Sequence, residues 1–597
     1  MKHLRLLLAF AILPAFGQIT GMVVDENTQA PIADAIVRIQ KQQIVVKTDA
    51  NGFFSLNDSA SFPFILVAGA YGYYNEGRDI LDSGGLVNII LEMEPVPLTI
   101  SPHFPLNEPT TCQNCHPDQY DQWLGSPMQM TGLNTWVFDV YDGNGTPGGG
   151  GLPDGSGTQG GDNGFVYQRD SVHRFAKPNS DCSACHSPVH WLTDIETAGM
   201  GNISAPNMDM MNGVQCEVCH RAFDVPPEKA NFPGVTPEAF IFLRGEQRVE
   251  FGAIGDATYD NNVMKPAYNP ILPAQLCSAC HEDNNDHDDD DDFNDPGSVP
   301  HETTHSEWET YRDQLGAENA QTCAGCHMPP TPEDQFCLFV KGRQPGTIRS
   351  HLIRGTSPQF LENALTLTVN QNAPLGTLKV NVNLANTGAG HAVPTGVVIR
   401  NMILLVEAKT TGGMVLNQLS GDMVDDIGGI GDPALGNYAG LPGMSFYKNM
   451  VDALGNDGIF YTEAVGIASD NRIMPGQAYQ GEFQFQIPPG LSSSDIDIDV
   501  RVIYRRSFRD LTLQKGWTTT GHGDPLADIT APHYGHLMER SQVSLDVCAE
   551  KDVDGIPGIT ANDFSELTPQ WRQPAPFGIN EAPITNVRHF IALINCL

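Results

Sequence analysis

Cys112-Gln-Asn-Cys115-His116 opens a series of five. The same spacing returns as Cys182-Ser-Ala-Cys185-His186, Cys216-Glu-Val-Cys219-His220, Cys277-Ser-Ala-Cys280-His281 and Cys323-Ala-Gly-Cys326-His327. Two thiols three residues apart, with an imidazole directly after the second, make the attachment motif of c-type haem. The thiols form thioethers with the haem vinyl groups, and the adjacent imidazole reaches the iron as proximal ligand. Zinc sites also use Cys and His, but they rarely place His immediately after the second Cys five times over. The ten motif cysteines are therefore read as haem-attaching, and His116, His186, His220, His281 and His327 as proximal ligands.

Five haems within residues 112–327 leave too little chain to wrap each in its own pocket. They must pack near one another and serve as the core, an arrangement that suits electron transfer. The sixth ligand of each iron then decides between a closed electron carrier and an open catalyst. Of eighteen histidines, those outside the motifs supply the candidates. His391 lies in the Gly-rich turn "NTGAGHAVPTG", where backbone can approach a flat ring closely. His351 lies in "SHLIRG", just after the last motif. His173 precedes the second motif and His190 follows it. His103, His301 and His305 are weaker candidates.

The composition limits the partners. Lys+Arg 33 against Asp+Glu 71 in 597 residues gives a formal net charge of −38. Nucleic-acid binding needs a basic face, so that class is excluded. Residues 1–17 read as a secretory signal, with Lys2 and Arg5 ahead of an apolar run from Leu6 to Phe16 that is too short to span a bilayer. No transmembrane segment is expected. The protein is expected to be exported, to the periplasm, the cell surface or beyond, and its partners to be redox proteins or an extracellular electron acceptor.

The fold is expected to be mixed: an irregular, haem-packed, mostly short-helical cytochrome domain flanked by β-sandwiches. Residues 18–97 carry strand and hairpin signals, among them Asp49-Ala50-Asn51-Gly52 ahead of Phe53. Residues 98–355 hold the haem motifs. They include a Gly-rich insertion, 143–164, and the acidic run 286–295, read as a solvated loop with calcium binding as the alternative. Residues 356–545 alternate apolar and polar at Leu365 to Val369, Leu378 to Leu384, Phe483 to Ile487 and Ile496 to Val502, a second sandwich that supplies a distal haem ligand. Residues 546–597 form a tail bracketed by Cys548 and Cys596, a candidate disulfide. Cys337 is left without a role.

Several stretches resemble known families. "GMVVDENTQAPIADAIVRI", "TDANGFFSL" and "VAGAYGYY" resemble the carboxypeptidase regulatory-like domain, an immunoglobulin-like sandwich used as a spacer or adhesion module. "GITANDF" and "PITNVRHFIALIN" resemble the paired calcium loops of a dockerin-type module, with Asp552, Asp554 and Asp563 matching the first loop and Arg588 departing from the second. "CQNCHPDQYDQWLGSPM", "DCSACHSPVHW", "GVQCEVCHRAFDV", "CAGCHMPP", "SHLIRG" and "NTGAGHAVPTG" resemble, in order, exported multihaem cytochromes related to the tetrahaem cytochromes of nitrifying bacteria and, more distantly, to multihaem nitrite and hydroxylamine enzymes. That resemblance implies electron transfer through stacked haems with distal histidines drawn from several segments. Two positions depart from its pattern. Met128 stands where the family has a His, so it either ligates one iron through its thioether or packs against a ring. His305 stands where the family commonly has Tyr.

These readings lead to a carrier with five covalent haems c and no catalytic residues of its own. One alternative is a multihaem reductase of nitrite, hydroxylamine or a sulfur oxyanion, with one open iron served by His305, Tyr311 and Arg312. The other is a homopolymer, a haem-lined filament whose protomers exchange a spare histidine such as His103, His533 or His536.

Overall fold

The computed structural model describes residues 18–545, apart from 59, 98–105, 148–164, 171–172, 194–197, 226–233, 235–240, 243–247, 262–263, 287–291, 373–376, 490 and 492–495. The signal segment, the tail with Cys548 and Cys596, His103, most of the Gly-rich insertion and the centre of the acidic run lie outside the described residues.

Two units organise the chain, the first from residues 18–133, 181–280 and 321–354, the second from 134–180, 281–320 and 355–545. The first begins with a sandwich. One sheet orders Phe53–Leu56, Ile19–Asp25 and Ile89–Met93; the other orders Val46–Lys47, Ile36–Ile39, Phe64–Gly69 and Glu76–Ile80. Alternation drives the packing: Ile19 and Val23, Phe54 and Leu56, Ile89, Leu91 and Met93 point inward and are buried together. The Asp49 carboxylate accepts from the Asn51 and Phe53 backbone N–H groups and fixes the hairpin turn.

The rest of the first unit has short elements. The motif helices Cys182–His186, Cys216–His220 and Cys323–His327 are each five residues long. The first two of these have no side-chain cap, whereas Thr322 caps the last by accepting from the Gly325 N–H. Helices this short have no independent stability, so tertiary packing must hold them. Ala184, Val218 and Ala279, one middle residue from each of the second, third and fourth motifs, are buried in one cluster with Trp191 and Ile271.

The second unit centres on a larger sandwich. One sheet orders Leu365–Asn372, Thr377–Asn386, Ala478–Gln486 and Gln418–Ser420. The other orders Gly443–Phe446, Asn401–Thr410, Ile496–Arg505 and His536–Leu545. Leu378, Val380, Val382 and Leu384, with Phe485 and Phe483 beside them on the paired strand, share one core with Leu404, Ile498, Val500 and Val502 of the other sheet. Asn401–Thr410 and Ile496–Arg505 are buried on both faces for much of their length. Their outer residues Ile403, Leu405 and Ile503 pack under Val424 and Tyr438, so simple alternation understates their burial.

The stretch 98–355 contributes to both units. Residues 134–180 join the second because Trp136 stacks on buried Trp517, ring centres 4.0 Å apart, while Trp517 Nε1–H donates to Asp139 Oδ2 at 2.7 Å. Residues 281–320 join it through the helix Thr304–Leu315.

Candidate functional site

In the first unit the motifs meet through their thiols. These are the sulfurs that would form the thioethers of attached haem. The neighbouring Cys216 thiol, then burial, pushes the Cys112 pKa up. The Cys277 thiol donates to Cys323 with the same effect. Burial lifts the Cys219 thiol to about 12, with Cys280 as its charged neighbour. The first motif thus adjoins the third, the third adjoins the fourth and the fourth adjoins the fifth. The second lies beside the third and fourth through Ala184.

The imidazoles show a second pattern. His116 Nδ1 lies 2.7 Å from the Phe336 carbonyl oxygen, His220 Nδ1 2.6 Å from that of Phe251, and His327 Nδ1 2.7 Å from that of Arg354. An Nδ1–H held by a carbonyl fixes the tautomer and turns Nε2 outward as a ligand, the usual outer-shell arrangement of metal-bound histidine. His351 Nδ1 sits 3.1 Å from the Arg349 carbonyl oxygen and His391 Nδ1 2.9 Å from that of Ala392. The His220 and His351 rings lie 6.4 Å apart between centres, with planes 20° apart. Metal–imidazole bonds of about 2 Å, with ring centres about 1 Å behind each nitrogen, put two imidazoles on one iron about 6 Å apart. The separation therefore matches that of two imidazoles sharing one iron. Desolvation, then the neighbouring His220, lowers the His351 pKa to about 4, and desolvation also lowers that of His220. Both shifts favour the neutral imidazole that metals bind.

In the second unit, His391 stands on a loop clamped from two sides. Asn386 Nδ2–H donates to the His391 carbonyl oxygen at 2.8 Å. Glu307, buried in the first turn of Thr304–Leu315, accepts from the Ala392 N–H at 3.1 Å and the Thr395 hydroxyl at 2.6 Å. Its other oxygen pairs with Arg472 at 2.7 Å and accepts from Thr303. A Cβ at Gly390 would lie 3.2 Å from the Tyr311 ring, so glycine permits the close approach of loop and helix.

The remaining candidates are placed differently. Both ring nitrogens of His173 are engaged, Nδ1 by Asp170 at 2.9 Å and Nε2 by the Thr462 carbonyl at 3.1 Å. His190 Nδ1 lies 3.3 Å from Asn207 Nδ2. The Met128 carbonyl accepts from the Val214 N–H at 2.9 Å, which ties this residue to the approach of the third motif. His281 Nδ1 is 4.0 Å from Glu302, and His301 Nε2 is 3.0 Å from Asp283. Asp292 and Asp295 accept from nearby backbone N–H groups and cap turns in the acidic run.

Sequence reasoning missed three features. The carbonyls of Phe336, Phe251 and Arg354 leave no side-chain signal. Glu307 reads as an ordinary helical acid. Cys337 is buried beside Cys115 and raises its pKa after burial does, while the Leu338 N–H donates to the Cys115 carbonyl at 2.9 Å.

Known proteins bear on this arrangement. Residues 165–221 match the family of cytochrome c554 and c-prime. This cytochrome c domain spans the second and third motifs. Residues 19–96 are a CarboxypepD_reg-like domain. Among solved structures, a penta-haem cytochrome c552 from Thermochromatium tepidum is similar over 74% of this chain and 99% of that chain, at 19% identity and a TM-score of 0.49. A protein of unknown function from Bacteroides fragilis is similar over 21% of this chain and 40% of that chain, at 16% identity and a TM-score of 0.11. No curated protein matches. Among the described residues, no helix is long and apolar enough to cross a membrane.

Proposed function

We propose that this chain is an exported five-haem c-type cytochrome that carries electrons along closely packed, covalently held haems to a redox partner or an extracellular acceptor. The observation that carries the reading is the meeting of thiols from different motifs, Cys112 with Cys216 and Cys277 with Cys323. Haems attached there share edges, and one-electron transfer along iron centres is the chemistry they supply. The five motif histidines hold the proximal positions. His351 would hold the third motif's iron together with His220, and His391, on the loop held by Glu307 and Asn386, would serve as a second distal ligand. Met128 remains a candidate thioether ligand. The order of motifs supports kinship with the tetrahaem cytochromes of nitrifying bacteria. The flanking sandwiches present the haem-bearing segments to partners.

Potentiometric titration of the purified protein tests this reading. Five one-electron steps per chain are expected, with all haems reduced together on rapid mixing with dithionite. Haems that reduce independently over widely separated times would overturn it.

A further inference from the structure

We propose that the first motif is the port of this electron path, and that a small, positively charged redox protein docks on an apolar patch beside it. The patch is formed by Tyr259, Leu338 and Phe339. The inference rests on the electron-carrier reading and adds to it an entrance and a class of partner.

The contacts of the first motif are one-sided. Cys112 meets another motif at Cys216, but Cys115 faces Cys337, and its carbonyl is bonded by Leu338. On that side the neighbour is the segment 336–343. The Phe336 ring lies 6.1 Å from the His116 ring, and the next residues lead to the surface. Leu338 is 45% exposed and Phe339 67%. The Phe339 ring stacks on Tyr259 at 6.3 Å between centres, and Tyr259 is 54% exposed.

This surface is anchored. Buried Arg343 grips Asp256 through two hydrogen bonds, 3.2 and 2.9 Å. The Lys41 N–H donates to the same Asp256 carboxylate at 3.0 Å, and Gln43 Nε2–H donates to the Pro345 carbonyl at 2.7 Å. These bonds hold residues 41–43 against Asp256 and Pro345 and fix the backbone under the segment. Single exposed apolar residues are ordinary, but a cluster on fixed backbone marks a contact surface. Electron-transfer encounters use small interfaces, which a patch of this extent suits.

Charge selects the occupant. At −38, the chain attracts a cationic partner over long range and orients it before contact. A second copy brings the same negative charge and is repelled at low salt. The partner is therefore a basic, single-cofactor electron carrier rather than another copy of this chain.

The test uses the full haem-loaded protein and a small basic mono-haem cytochrome c as probe. Affinity is measured by calorimetry at low salt, and electron transfer from the dithionite-reduced protein by stopped flow across a salt series. The variants are Phe339→Ser and the double variant Phe339→Ser, Tyr259→Ser. The native rate is expected to fall steeply with salt. The double variant is expected to lose about tenfold in affinity and rate, with the single variant between. Electron transfer to hexaammineruthenium, which needs no docking surface, stays unchanged. Native affinity and rate in both variants would overturn the port. So would self-association through the patch, seen as concentration-dependent light scattering that Phe339→Ser abolishes, without binding of the basic probe. A native protein that passes electrons to neither probe would instead overturn the electron-carrier reading.

Discussion

Replacing His351 by alanine tests the ligand geometry most sharply. The His220 and His351 ring centres lie 6.4 Å apart, close to the separation of about 6 Å that two imidazoles on one iron require. His220 is fixed by the Phe251 carbonyl and stays in place. The segment around residue 351 also stays, because its backbone N–H donates to Gln122 Oε1 at 2.8 Å and does not depend on the ring. On the proposed ligation, the variant opens the sixth position of one haem and leaves the others unchanged. Carbon monoxide bound by the dithionite-reduced protein rises by one molecule per chain. About one fifth of the haem absorbance moves from low-spin to high-spin character, and the midpoint potential of that haem rises as a strong donor to ferric iron is lost. Carbon monoxide is titrated spectroscopically against total haem. Unchanged carbon monoxide uptake at full haem content would refute the pairing of His351 with His220.

Further outcomes follow from the same contacts. Glu307→Ala removes one of the two carboxylates on buried Arg472, Asp470 remaining, and frees the His391 loop, so unfolding stability falls by about 1.5–3 kcal/mol, read by denaturant titration, and Glu307→Gln loses less. Burial lowers the buried Lys448 pKa to about 8 from 10.5, so the unfolded chain binds more protons between those values. The native protein then gains stability relative to Lys448→Met as pH climbs from 8 to 10.5, by up to on the order of 3 kcal/mol, and a flat difference across that window would remove the assignment. Met128→His lowers one midpoint potential if the thioether ligates iron, and an unchanged redox titration removes Met128 from the ligand set.

The parts of this molecule legible in the sequence are those where chemistry or periodicity is local. Covalent haem attachment demands Cys, Cys and His at fixed spacing, so the motifs stand out. Half-buried strands such as Thr377–Asn386 alternate in sequence because they alternate in space. The turn at Asp49 is equally local. What stayed hidden depends on distant segments. Nothing near Cys112 announces Cys216, and the contact arises when motif helices pack through residues as plain as Ala184 and Ala279. The imidazole anchors are backbone carbonyls, which every residue possesses. The burial of both faces of Asn401–Thr410 comes from a covering segment around Val424 and Tyr438. The sharing of 98–355 between two units turns on single docking residues, Trp136 on Trp517 and Glu307 on Arg472.

The central claim is that all five motifs carry covalent haem. Intact mass spectrometry of the purified, denatured protein tests it most directly. The account predicts a mass above the mature polypeptide by five haem groups, retained through acid–acetone extraction. Fewer than five, or haem lost on extraction, would contradict it.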